Sequence, residues 1–270
     1  MIAVVDPIVS APPARGRSIV ELIKTVSASR LNTWLSCRLK FYFRYVVELE
    51  KSKTPALHVG TVVHAVLQEW NKARWHNRAM DEEAVEKVFS KAWDEQEDIE
   101  WKEAEEEKRT NALDLIRTYF RDTPIPPNEK PMAVEVAVEM SLAHHGLPTL
   151  VGIIDLVRSG RQVVDFKTSA QTPNPATVLH FHELQTTGYA MLFREATGKK
   201  ESAIELHSLV KLKTPKLVVS VAPPATEQQV NRFLKTVESY VQGVSREDFV
   251  PSPGMACMGC QFINECRKWS

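Results

Sequence analysis

The chain carries no net charge: 34 lysines and arginines balance 34 aspartates and glutamates. A molecule-wide field for a polyanion is excluded, so any nucleic-acid contact must use local patches. Two patches qualify. One is Lys211, Lys213 and Lys216. The other is Arg38, Lys40 and Arg44, interleaved with Phe41, Tyr42 and Phe43. Each can equally be a solvated face. No run reaches the ~18 apolar residues of a membrane span. The opening Met1-Ile2-Ala3-Val4-Val5-Asp6 lacks the basic region and long apolar core of a secretory signal. The expectation is a cytoplasmic (intracellular) protein with no membrane partner. No G-x4-G-K-[ST] phosphate loop occurs, which excludes a helicase motor in this sequence. Internal repeats and low-complexity segments are also missing. Cysteine is scarce, at four residues, and in an intracellular chain these fit thiolate ligands better than disulfides.

With 270 residues, 43% hydrophobic, the chain can bury one sizeable core. Residues 1–17, rich in Pro, Ala and Val, show no period and read as a flexible lead to one domain over 18–270. A helix is expected from a cap at Ser27 or Ser29 to about Val46, with Leu31, Trp34, Leu35 and Leu39 on its apolar face. A second helix covers about 58–78. A helical elaboration follows over 81–121, whose acidic residues (Asp94, Glu95, Glu97, Asp98, Glu103, Glu105, Glu106, Glu107) suit a solvent-facing surface. Pro124, Pro126, Pro127 and Pro131 end that block. Strands are expected at 132–142, 149–158 and 162–168, the last two joined by a tight turn at Ser159-Gly160-Arg161. A helix at about 175–196, strands at 201–212 and 216–222, and a helix at 226–243 complete the order. The pattern indicates an α/β core with a mixed central sheet and a helical N-terminal part.

Chemistry concentrates on two of these strands. In Asp165-x-Lys167 the strand period of two places carboxylate and ammonium on one face, while Val164 and Phe166 point into a core. The turn at 159–161 makes this strand antiparallel to the one bearing Gly152-x2-Asp155. Two aspartates supply the oxygen ligands that Mg²⁺ or Mn²⁺ prefer. Lys167 could hold an attacking water and stabilise charge developing on a phosphate. In isolation D-x-K is a common edge-strand pattern. Other residues extend it. His64 is the one polar group in Val62-Val63-His64-Ala65-Val66-Leu67 and could complete a metal shell, although a histidine so placed is commonly a core residue. Gln185 and Tyr189 share a helix face at i and i+4, and tyrosine can stack on a base. Glu135 and Glu139 lie on the strand preceding Asp155, with nothing to choose between them.

Cys257-x2-Cys260-x5-Cys266 closes the chain, with Cys37 far upstream. A C-x2-C pair suits zinc or iron–sulfur, and the spacing does not decide between them. Gly259 permits the tight turn that lets two thiolates converge.

In order and separation, Gly60-x3-His64, Gly152-x2-Asp155, Asp165-x-Lys167 and Gln185-x3-Tyr189 resemble the PD-(D/E)xK nuclease superfamily in its RecB-like branch, over about residues 27–270. That likeness implies a restriction-endonuclease-like α/β core: a mixed central sheet flanked by helices, with a Cys-rich C-terminal tail. It implies His64, Asp155, Asp165 and the carbonyl of Phe166 as Mg²⁺ or Mn²⁺ ligands and Lys167 as the catalytic lysine. Gln185 and Tyr189 would position DNA. Gln68 stands near a place where the family often has glutamate. One cysteine before the nuclease motifs and three after resemble the iron–sulfur members: AddB-type, CRISPR-associated and exonuclease V-like nucleases. There Cys37, Cys257, Cys260 and Cys266 would hold a structural [4Fe–4S] cluster. The implied activity is hydrolysis of DNA phosphodiesters, foremost as an exonuclease on single-stranded ends. Alternatives are an endonuclease, or a nuclease subunit working with a helicase, repair, recombination or CRISPR-adaptation partner. From a different class, a catalytically inactive nucleic-acid-binding module would use the cluster as scaffold.

Overall fold

The computed structural model describes residues 16–50, 53–95, 99, 101 and 105–269. Most of the lead, together with Glu97, Asp98 and Glu103 of the acidic run, lies outside the described residues. The chain divides into two compact units. One comprises Met1–Lys51, Ser141–Leu150 and Arg232–Ser270; the other comprises Ser52–Met140 and Val151–Asn231. No described helix is long and apolar enough to cross a membrane.

The second unit carries the chemistry. Its first helix, α4 (Pro55–Trp75), opens with Thr54 accepting the Leu57 N–H and with Pro55 in the first turn, where a missing N–H costs nothing. The acidic elaboration forms α5 (Glu82–Asp94) and α6 (Glu105–Asp122). Strands β2 (Ala133–Met140), β3 (Thr149–Val157) and β4 (Gln162–Ser169) come next. Helices α7 (Val178–Phe181) and α8 (Glu183–Thr197) then cross to β5 (Ala203–Val210), which lies parallel to β4. β6 (Lys216–Ala222) returns antiparallel to β5. The βαβ crossover is what lets two parallel strands follow one another.

Val59, Val62, Val63, Val66 and Leu67 of α4 pack with Phe89 and Trp93, with Leu115, Ile116 and Tyr119, and with Leu156, Val164 and Phe166 of the sheet. Val164 and Phe166 thus point into a core, as the alternation predicts. The approach of α4 to the sheet is close. A Cβ on Gly60 would stand 3.1 Å from Thr168 Oγ1, and His64 follows one turn later on the same helix. On the other side, a Cβ on Gly152 would meet Leu192 Cδ1 of α8 at 2.7 Å, the far end of a side chain that would have to shift to admit it.

The first unit holds α1 (Ile19–Leu22), β1 (Thr25–Val26), α2 (Ala28–Ser36) and α3 (Arg38–Phe41), then a π-turn at Tyr42–Val46. β1 pairs parallel with Thr149 and Leu150 of β3, completing a six-stranded mixed sheet. From the C-terminal part come α9 (Glu227–Ser245), which reaches this unit from Arg232 onward, and α10 (Ile263–Arg267). Ser27, not Ser29, caps α2 by accepting the Arg30 N–H.

Three expectations need correction. The single helix to Val46 is broken at Cys37, whose backbone is extended (φ −166°, ψ 117°) and whose thiol accepts the Lys40 N–H to cap α3. Leu39, Phe41 and Phe43 are all buried; that spacing of two fits no single helical face, and the break with the π-turn accommodates it. Leu35 is 58% exposed and not part of the apolar face. Likewise the helix expected over 175–196 is interrupted at His182.

Trp34 anchors this unit, packed edge-on against Phe41 and Tyr240 at 5.3 and 5.8 Å. Gly243 of α9 faces it: a Cβ there would stand 2.3 Å from Trp34 Cζ2. Replacing a helical glycine by alanine ordinarily gains up to about 1 kcal/mol, whereas overpacking costs about 1–3 kcal/mol. The indole is hemmed in by rings and cannot retreat, so the clash dominates. Gly243→Ala is expected to lower the melting temperature; an unchanged or raised Tm would refute this packing.

Candidate active site

Asp155 and Asp165 meet because of strand register. β3 and β4 pair Val157 with Val163 and Leu156 with Val164. The next position on each strand is an aspartate. Asp155 Oδ2 accepts the Phe166 N–H at 2.9 Å, so a backbone donor of β4 holds the carboxylate of β3. His64 Nδ1 stands 3.8 Å from the same oxygen. Asp165 is almost fully buried. Lys167 Nζ lies 2.8 Å from its Oδ1 and 2.6 Å from its Oδ2. Gln185 Nε2 donates to Asp165 Oδ1 at 3.0 Å and to Tyr189 Oη at 2.9 Å.

Every sequence-predicted residue of this set therefore lies in one unit, but the grouping differs from the expected one. One ligand atom each from His64, Glu135 and Asp155 lie within 4.8 Å of one another. Asp165 is engaged instead by Lys167 and Gln185. Phe166 contributes its N–H, and its buried ring packs edge-on toward His64 at 6.1 Å. Between the two open glutamates the fold chooses: Glu135 joins the group and Glu139 is exposed. Glu135 sits at φ +49° within a strand. That left-handed conformation costs a non-glycine residue about 1–3 kcal/mol and recurs at functional sites. Alternation along β2 gives no hint of it, which is why sequence could not separate the two. His182 was also missed; it neighbours Lys167 and Asp165.

The donor set fits a hard divalent cation. Two carboxylates and an imidazole converge, and one carboxylate is brought in by a strained backbone. Modest closure of these donors would bring them to the ~2.0–2.2 Å reach of Mg²⁺ or Mn²⁺.

The four cysteines gather in the other unit. All are free thiols. A single pocket is lined by Cys37, Cys257, Cys260 and Cys266. Leu39, Phe43 and Phe262 form its apolar floor. Gly259 at φ +77° makes the turn between Cys257 and Cys260. Burial, and then the neighbouring Cys37, Cys257 and Cys260 thiols, raise the Cys266 thiol above its ordinary value. Near Cys37, Trp34 and Phe43 are core residues. Arg38 pairs with Asp248 and covers the Trp34 ring.

Residues 25–267 match the sequence model of the PD-(D/E)XK nuclease superfamily. The chain belongs to that superfamily. A solved structure from Eubacterium rectale named "Putative exonuclease" is similar at 14% identity and a TM-score of 0.59, over 94% of this chain and 91% of that one. At that identity the likeness is one of fold. A second solved structure, SSO0001, has 14% identity and a TM-score of 0.38, over 93% and 96% of the two chains. No curated protein matches. Membership of this superfamily makes the chain a hydrolytic, metal-dependent nuclease, and the acidic group in the second unit could hold a metal ion.

The electrostatics of this acidic site depend on pH. Burial first, then the charge of Asp155, pushes Glu135 up to about 7. Burial first, then Asp165, pushes Asp155 up to about 6. Tyr189 is raised further still by burial and by both aspartates, so it stays a neutral phenol. Both carboxyl values exceed those of an unfolded chain, so between about pH 4 and about 7 these two groups hold more protons in the folded state and their contribution to stability falls as pH rises, while His58 and His182, lowered by burial, contribute a slope of the opposite sign. The carboxyl pair's share of the thermal stability should therefore be lost across that window in the metal-free protein. Mg²⁺ or Mn²⁺, which binds the deprotonated form, should restore it at the upper end. Glu135→Gln should flatten the slope and weaken the metal effect; pH profiles identical in variant and wild type would contradict this.

Proposed function

We propose that the protein is a metal-dependent deoxyribonuclease, foremost an exonuclease that digests single-stranded DNA from an end. The observation that carries the reading is the convergence of His64, Glu135 and Asp155 beside an Asp165–Lys167 pair. His64, Asp155, Asp165 and the Phe166 carbonyl would hold Mg²⁺ or Mn²⁺, and Glu135 joins them in this reading. When bound, such an ion polarises the phosphate and eases deprotonation of a water. The chain's own residues do the rest. Lys167 presents Nζ as a hydrogen-bond donor for the attacking water and for charge on the phosphate. Asp165 and Gln185 fix that ammonium in place. Tyr189, half-buried and neutral, supplies a hydroxyl at Gln185, and the pair positions DNA. Exonuclease action draws support from the printed name of the Eubacterium rectale protein, which shares the fold.

A structural [4Fe–4S] cluster on Cys37, Cys257, Cys260 and Cys266 belongs to the same proposal. The four thiols line one pocket over an apolar floor, a donor set that suits soft iron. Bridging Cys37 to the tail closes a loop of nearly the whole chain, so the cluster would act as a staple. The localisation consistent with these reduced thiols is cytoplasmic.

Two experiments test the reading. With Mn²⁺ or Mg²⁺, end-labelled single-stranded DNA should be degraded and circular DNA spared, and chelation should abolish the reaction. Asp165→Ala and Lys167→Ala should each lower kcat by at least about 10²-fold. Cleavage that persists in both variants refutes the site; cutting of circles makes the enzyme an endonuclease. Separately, anaerobically purified protein should be brown with broad visible absorption, and Cys266→Ser should lose both colour and thermal stability. Colourless protein holding stoichiometric zinc would sink the cluster.

A further inference from the structure

Phe181 is 81% exposed, more than any other large apolar side chain among the described residues. A phenylalanine so placed contributes nothing to the core and leaves apolar area in water. Its backbone is nonetheless fixed. The Phe181 N–H donates to Thr177 O at 2.9 Å and the His182 N–H donates to Val178 O at 3.1 Å, closing the short helix α7. The ring meets the half-buried His182 edge-on at 5.2 Å. Four residues on, Gln185 touches Asp165. Phe181 thus precedes by four residues, across the interruption at His182, a residue bonded to Asp165.

Basic residues stand on the neighbouring elements. His180 beside it is 87% exposed in its side chain and lies 3.5 Å from Glu183. At the end of β4 the Lys211 N–H donates to Ser169 O at 2.7 Å, so the β5–β6 tip, with exposed Lys213 and Lys216, starts where the chain leaves β4 toward α7. α7 packs against β6. A solvent-facing aromatic ring, with exposed lysines at the tip of the hairpin that packs on its helix, matches what a single strand offers: an unstacked base for the ring and phosphates for the ammonium groups. Within a duplex the base faces are already covered.

We propose that Phe181 is a stacking platform for an unpaired base of single-stranded DNA next to the phosphate being cut. This inference rests on the nuclease reading and specifies its substrate; Phe181 is a positioning residue.

The test uses full-length protein, Ca²⁺ in place of the catalytic ion, and short single-stranded deoxyoligonucleotides carrying 2-aminopurine at successive positions. Wild-type protein should quench fluorescence strongly at one position. Phe181→Ala should abolish that quench and raise Kd by about tenfold, whereas Phe181→Tyr and Phe181→Trp should retain both. The matching duplex should bind without dependence on Phe181. A quench and Kd unchanged in Phe181→Ala overturn the proposal, and with normal cleavage they leave the nuclease reading standing. A Phe181-dependent quench in a protein that cleaves no DNA supports the stack and removes the nuclease reading.

Discussion

The meeting of two carboxylates shielded from water at the end of one antiparallel ladder is the constraint on which the second unit is built. Placing Asp155 and Asp165 side by side away from water is unfavourable twice, through lost hydration and through mutual repulsion. Each is compensated separately. Asp155 takes a backbone N–H from Phe166 and faces His64. Asp165 takes Lys167 and Gln185. The valines of α4 and the rings of Phe166 and Tyr119 then hold the strand whose backbone donor serves Asp155. Packing on one face of β4 and electrostatics on the other depend on the same register.

The legible parts of the fold were those set by period and punctuation. Alternation gave β3 and β4, the Ser159-Gly160-Arg161 turn made them antiparallel, and hydrophobic spacing put Val62, Val63 and Val66 of α4 on a buried face. What sequence missed was decided by neighbours distant in the chain. The break at Cys37 exists because Leu39, Phe41 and Phe43 must all be buried, which no single helix allows. The interruption at His182 falls inside a helical pattern with no glycine or proline to announce it. Leu35 fits the helical period but is left facing solvent.

The site was legible as a set of residues and less so as a set of partnerships. Motif spacing identified His64, Asp155, Asp165, Lys167, Gln185 and Tyr189, and the fold brings them into one unit. Spacing could not show that Asp165 would be held by Lys167 and Gln185 while Glu135 approached His64 and Asp155. Glu135 differs from Glu139 in its positive φ and in its burial, and φ at a non-glycine residue leaves no trace in composition. The cost of that angle is sustained by a sheet and helix packed around it, which is the setting in which strain persists.

The division of labour inside the site follows from these partnerships. A lysine held by a carboxylate keeps its charge and its direction, and a carboxylate held by a lysine is kept from repelling its neighbour. Asp165 answers to both demands. It holds the Lys167 ammonium at 2.6 Å, and its place in the β3–β4 register sets it beside Asp155, where it would add an oxygen to the ligands that His64, Glu135 and Asp155 would offer a divalent cation. The ligand set and the direction of the lysine would then rest on one carboxylate, and through it on the same strand register.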